Sequence, residues 1–263
     1  MTKLVRLLIV AFVVFSCEKT TKKTIPQELP IASEIIAKEP DKPEMTRIWG
    51  PKPARVIPGN GIIQPSDAII LFDGSNLDEW MSKNDGSAAK WELNKDGSMT
   101  VVPGTGDIQT KKEFGSVQLH IEWKSPSEIQ GEGQDRGNSG VYLQKRYEIQ
   151  ILDNNDNETY VNGQAGAIYK QSIPLVNAAV ATGEWNTYDI IFHAPEFDVN
   201  GIKTASGTFT VLHNGILIQD HVEIKGSTED IGWPKNIAHG NDAIILQDHG
   251  SEVSYRNIWL RNL

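Results

Sequence analysis

Two runs decide how this chain reads: Asn138-Ser139-Gly140-Val141-Tyr142-Leu143-Gln144 and, after Lys145-Arg146, Tyr147-Glu148-Ile149-Gln150-Ile151-Leu152-Asp153. Both alternate apolar and polar side chains, and a period of two marks a strand with one buried face. Val141 and Leu143 fall on one side of the first strand, with Asn138, Tyr142 and Gln144 on the other. Ile149 and Ile151 share a side of the second, with Glu148, Gln150 and Leu152 opposite. A carboxylate, amides and a phenol on one sheet face read either as a polar cleft or as an ordinary solvated face.

The same pattern recurs on both sides of these runs. Ser116 to Trp123 sets Val117, Leu119, Ile121 and Trp123 against Gln118, His120 and Glu122. Trp91-Glu92-Leu93 and Met99 to Val102 flank Asn94-Lys95-Asp96-Gly97-Ser98, a hairpin sequence. Asn214-Gly215 suits a type I′ turn between two more strands. Ala68 to Phe72, Tyr188 to His193, Gly207 to His213, Ile216 to Ile218, Ala243 to Gln247 and Val253 to Leu260 supply others. No long helical stripe or fixed repeat occurs, and Leu77 to Met81 and Thr228 to Ile231 read at most as single turns. About ten to twelve short strands broken by Gly and Asn predict an all-β sandwich of two antiparallel sheets.

A chain of 263 residues with 39% apolar content can bury a substantial core, and a net charge of −9 argues against nucleic acid and anionic membrane surfaces as partners. The N-terminus reads as a targeting segment: Lys3 and Arg6 precede the apolar run Leu7 to Phe15, too short for a span of roughly 20 residues. The run ends at Ser16-Cys17, and Cys17, the only cysteine, resembles the lipidated residue of a bacterial lipobox. Phe15 fits that pattern loosely, which leaves plain signal-peptidase cleavage or a buried structural cysteine as alternatives. The expected organisation is a lipoprotein signal peptide over 1–16, a proline-rich linker or wrapping segment over 17–64, and one sandwich domain over 65–263. The expected location is exported, lipid-anchored in the bacterial envelope, with no membrane contact beyond the anchor.

Strand parity gathers His120 with Glu122, Asn138 with Tyr142, Glu148 with Gln150, and Gln247 with His249. Arg256 follows in the last long strand, with Tyr255, Asn257 and Trp259 assigned to its other face. If these strands are neighbours, histidines, carboxylates, amides and a guanidinium share one groove that can bind sugar hydroxyls and move protons. Plainer readings stand beside this one: His120 and Glu122 as a cross-strand pair, Arg256 as a sheet-stiffening ion pair, and His193, His213, His221 and His239 as surface residues. The loop Asp153-Asn154-Asn155-Asp156-Asn157 either turns or holds a cation, and lacks the Gly and closing Glu of an EF-hand. There is no thiol nucleophile, nucleophile elbow, P-loop, dinucleotide fingerprint or His-Glu-x-x-His helix, so no redox cofactor is expected.

Several motifs together resemble the 3-keto-disaccharide hydrolase domain family (DUF1080). They are Leu71-Phe72-Asp73-Gly74 with Leu77 and Trp80, Gly137 to Tyr142, Tyr147 to Asp153, Gly166-Ala167-Ile168-Tyr169, Gly183-Glu184-Trp185-Asn186, His213-Asn214-Gly215, Leu246 to Gly250 and Arg256-Asn257-Ile258-Trp259. They occur in order across 67–263. The resemblance implies a concanavalin A-like jelly roll acting on glycosides oxidised to a 3-ketone. A ketone at C3 acidifies the C2 proton, so a base can remove it and the C1 substituent leaves by elimination, with water adding back for net hydrolysis. On that chemistry His249 or Glu148 is the base, and Asn138, Tyr142, Gln150, Tyr169 and Gln247 orient the sugar. Arg256, or a divalent metal ion held by some of His120, Glu122, Glu148 and His249, stabilises the enolate. Family-16 glucanases, similar in fold, carry Glu-x-Asp-x-x-Glu on one strand. Here Gln150 replaces the second acid and Asp153 falls opposite Glu148, which disfavours retaining hydrolysis. A separate sugar 3-oxidoreductase is implied as the source of the ketone. The alternatives are a non-catalytic carbohydrate-binding lipoprotein using the same face, and a structural surface module.

Overall fold

The computed structural model describes residues 39–263 other than Ile62. The expected signal peptide, the lipidation site Cys17 and much of the proline-rich segment lie outside the described residues. Contacts divide the chain after Pro53. In the first unit the described residues hold one 3-10 turn, Pro43–Thr46.

The unit from Ala54 to Leu263 carries the strands. These are β1 (Ile69–Phe72), β2 (Trp80–Ser82), β3 (Glu92–Leu93), β4 (Met99–Thr100), β5 (Ile108–Thr110), β6 (Val117–Lys124), β7 (Ser139–Leu143) and β8 (Tyr147–Ile151). There follow β9 (Asn186–His193), β10 (Glu196–Phe197), β11 (Lys203–Ala205), β12 (Thr208–His213), β13 (Ile216–Glu223), β14 (Ile245–Leu246) and β15 (Ser254–Asn262). The larger sheet runs β13-β12-β9-β6-β15-β4-β3, with β1 also on β15; the smaller runs β2-β5-β14-β7-β8; β10 and β11 form a ribbon. All these pairings are antiparallel, and the fold is the expected all-β sandwich of two antiparallel sheets.

Period-two alternation builds the core between the sheets. Val117, Leu119, Ile121 and Trp123 of β6 meet Val141, Leu143, Ile149, Ile151 and Leu246 of the smaller sheet, all at most 1% exposed. Two phenols from the larger sheet tie this core to the back of the β7–β8 hairpin. Tyr255 Oη and Ser139 Oγ lie 2.6 Å apart, and Tyr188 Oη donates to Gln150 O at 2.8 Å. Leaving one such buried group unpaired costs about 1–3 kcal/mol, so the hairpin is held from behind as well as by its ladder. Asn214 and Gly215 carry the positive φ of a type I′ turn between β12 and β13, as their sequence demands.

Three local expectations are corrected. Leu152, placed with Glu148 by parity, joins the core just beyond the end of β8. His213 is not a surface residue: it is 1% exposed between Trp123 and Tyr188, and burial pushes its pKa down to about 4. Thr228 to Ile231 forms no helical turn.

Candidate functional site

The β7–β8 hairpin sets the site. Tyr142 lies directly across from Glu148, and Gly140 from Gln150. On the other side of β7, Ile245 faces Tyr142 and the Gln247 N–H donates to Gly140 O at 3.1 Å. Because side chains alternate, Val141, Ile149 and Leu246 enter the core while Asn138, Tyr142, Glu148, Gln150 and Gln247 point outward.

That outward face is walled in. β8 is the last strand of its sheet, and the segment 166–169 runs along its free edge. Gln150 N–H donates to Ala167 O at 3.0 Å, Gly166 N–H to Gln150 O at 2.9 Å and Tyr169 N–H to Glu148 O at 3.2 Å. Thr228 Oγ1 accepts from Glu148 N–H at 3.1 Å. The result is an open cleft of about 120 Å³. Seven residues singled out in the sequence line it: Asn138, Tyr142, Glu148, Gln150, Tyr169, Gln247 and His249. Thr228 and Asp230 complete it and were not foreseen; they sit in an aperiodic loop, where alternation gives no signal.

Glu148 is 3% exposed, and burial pushes its pKa up to about 8. The Tyr142 hydroxyl and Lys170 pull it down, while the charges of Asp107 and Asp230 push it further up. Its carboxyl lies over Gly140, where a Cβ would strike Glu148 Oε1 and the Tyr142 ring. The end of the Gln150 amide facing Glu148 Oε1 is 3.1 Å away. With nitrogen there the amide donates to a carboxylate, and with oxygen there it accepts from a protonated carboxyl, so this partner suits both states. Burial raises the Tyr142 pKa well above its usual value, which keeps that hydroxyl a proton-bearing donor. Gln247 Nε2 donates to Tyr142 Oη at 3.3 Å, and Gln247 Oε1 is buried with no partner.

His249 stands at the exposed rim, just past β14. Its neighbour Asp248 anchors the rim: it accepts the N–H groups of Gly104 (2.8 Å), Gly106 (2.9 Å) and Gly250 (3.0 Å). Asp230, opposite, is held below the usual carboxylate range by its hydrogen bond to Lys170 and by His249.

Arg256, His120 and Glu122 are not in the cleft. They lie on the outer face of the larger sheet, where Glu122 accepts from Arg256 Nε at 2.6 Å and from Asn257 Nδ2 at 2.8 Å. His120 Nδ1 lies 2.7 Å from Asp189, and its ring stacks on Trp259 at 5.0 Å. Parity tells which side of its own sheet a residue takes, but not which sheet it belongs to. The assignment within β15 also failed, because a bulge between Arg256 and Trp259, with Asn257 at φ 49°, turns Asn257 and Trp259 to the side of Arg256. The conjectured metal ligands are thus divided between two sheets, and among the described residues no group of three or more His, Cys, Asp or Glu gathers as a metal site. Gly61 and Gln64 contact this cluster: Gln64 Nε2 donates to Asn257 Oδ1 at 2.9 Å, and Asn257 Nδ2 to Gly61 O at 3.0 Å.

Burial alone would lower the His120 pKa, but the hydrogen bonds and charges of Asp189 and Glu122 outweigh it and lift it to about 9. A folded pKa above the unfolded value of 6.5 gives stability that is complete below pH 6.5 and lost as pH rises to 9. H120Q should therefore flatten the decline of melting temperature across that window, read by calorimetry; an unchanged slope would refute the charged pair.

The family model described as the 3-keto-alpha-glucoside-1,2-lyase-like domain matches residues 67–261. A candidate glycosyl hydrolase from Parabacteroides distasonis, solved at 2.13 Å, is 50% identical, with a TM-score of 0.81 over 84% of this chain and 97% of its own. A second from that organism, at 1.70 Å, shares 20% identity with a TM-score of 0.55 over 75% and 94%, a likeness of fold. No functionally curated protein matches.

Proposed function

Because the chain belongs to the 3-keto-alpha-glucoside-1,2-lyase-like domain family, we propose that it cleaves glycosides whose sugar carries a ketone at C3. One observation carries the reading: Glu148 is a buried carboxyl with its pKa near 8, set against the neutral Tyr142 hydroxyl and Gln150 amide in the cleft. A carboxylate so destabilised is a strong base, suited to a proton that the C3 ketone has acidified.

Glu148 removes the C2 proton, and the electron pair moves onto the ketone oxygen. The Tyr142 hydroxyl and the amide N–H groups of Gln247 and Asn138 provide donors for that oxygen, the role first given to Arg256. The pair then returns to form the C1–C2 double bond as the C1–oxygen bond breaks. His249, at the open rim, protonates the departing oxygen. Water then adds at C1 and gives its proton to His249, while Glu148 returns its proton to C2, which completes net hydrolysis and restores both residues. One base suffices, which accords with Gln150 in place of a second acid.

The cleft has the scale of one pyranose ring. A sugar 3-oxidoreductase would supply the ketone. Export and tethering through Cys17 belong to this proposal and rest on the N-terminal sequence alone. The test is release of a chromogenic leaving group from a 3-keto-glucoside, with and without chelator, beside the unoxidised glucoside. Release from the keto substrate only supports elimination, and release from the plain glucoside equally well overturns it. Thermal stabilisation by sugars without turnover of either makes the cleft a carbohydrate-binding site.

A further inference from the structure

A second groove adjoins the cleft across Tyr169, the residue that lines both. It measures about 340 Å³, and Trp233, Pro234, Tyr160 and Lys170 contribute to its walls. The Trp233 indole is 89% exposed, although burying so large an aromatic surface is among the most favourable uses of a side chain. Tyr160 is 42% exposed, yet its hydroxyl is fixed 2.6 Å from that of Tyr169. Lys170 Nζ lies 5.1 Å from the Tyr169 ring centroid and 2.7 Å from Asp230 Oδ1, so one ammonium joins groove to cleft. Aromatic faces framed by a few polar groups suit the C–H face and hydroxyl rim of a sugar ring.

A cleft the size of one ring leaves the other half of a disaccharide outside it. We propose that the groove lined by Trp233, Tyr160 and Tyr169 holds the leaving-group sugar, with Trp233 stacking on its face, and so sets the preference for the departing alcohol. This rests on the reading of the cleft as the site of the oxidised sugar. It makes Trp233 a specificity residue, away from the proton transfers.

The test compares wild type and W233A, as full chains, on two 3-keto-glucosides differing only in leaving group: glucosyl or methyl. W233A should lower kcat/KM about tenfold for the glucosyl substrate, mainly through KM, and about twofold or less for the methyl one. Equal losses on both, or none on either, overturn the groove. Calorimetry on E148Q separates this from failure of the reaction itself. If wild type turns over neither substrate, tighter binding of the keto-disaccharide than of the keto-monosaccharide by E148Q, lost in E148Q/W233A, still supports the groove. Binding that is undetectable, or equal for the two sugars, overturns it.

Discussion

Replacing Glu148 by Gln is expected to lower kcat on a 3-keto-glucoside by about a thousandfold while leaving the fold intact. The substitution is nearly isosteric, and a neutral amide can take the place of the carboxyl over Gly140 and beside Gln150. What disappears is the base. In the wild type, kcat/KM should rise with pH toward a limb near 8, where the carboxyl ionises. Stability should move the other way. The folded pKa of about 8 lies above the unfolded 4.5, so the folded state holds an extra proton between those values. The stabilisation is complete below pH 4.5 and is lost as pH rises through 8. E148Q has no such proton to lose, so it should gain melting temperature relative to wild type from pH 4 to pH 9. Steady-state rates and calorimetry across pH read both effects. A variant keeping a tenth of wild-type kcat would remove Glu148 from the chemistry.

The second large effect is structural. D153A is expected to cost about 3–5 kcal/mol, because it leaves the Arg136 guanidinium buried without its counter-charge. Asp153 is 4% and Arg136 8% exposed, with Arg136 Nε donating to Asp153 Oδ2 at 2.8 Å. The same guanidinium donates to Asn155 O at 2.7 Å, and Thr182 Oγ1 donates to Asp153 Oδ2 at 2.9 Å. The loop read as either a turn or a cation site is thus a turn closed by an internal cation. Melting temperature should drop by about 10 °C or more. Combining D153A with R136M should recover part of the loss, since no charge is then stranded. A double variant as unstable as the sum of both singles would contradict that account.

The sequence was most legible where contacts are local. Tyr142 and Glu148 meet across a hairpin, so parity alone places them together, and Gln247 follows from the same alternation on β14. His213 could have been read the same way: it shares parity with Phe209 and Val211, both core residues, and was passed over only because it precedes an Asn-Gly turn. Arg256 could not be read, because its placement depends on a bulge and on the division of strands between two sheets. Thr228 and Asp230 reach the cleft from a loop whose path is set by tertiary contacts such as the Glu148 N–H bond to Thr228. Tyr169 was identified through a family motif rather than through periodicity.

The strand that carries Glu148 would, if bare, be a docking edge for another copy of the chain. Segment 166–169 removes that hazard with the same backbone bonds that bring Tyr169 to the cleft. Protection from aggregation and substrate recognition therefore draw on one set of atoms. Lengthening or shortening this segment would harm solubility and catalysis at once, which leaves point substitutions as its accessible route of divergence. In the loop bearing Trp233 it is Thr228 that bonds to this edge, accepting the Glu148 N–H and donating to Arg146 O, so insertions at residue 233 itself can accumulate without that double penalty. Diversification of leaving-group preference among descendants of this fold should accordingly concentrate around residue 233, with the Glu148 wall held fixed in length.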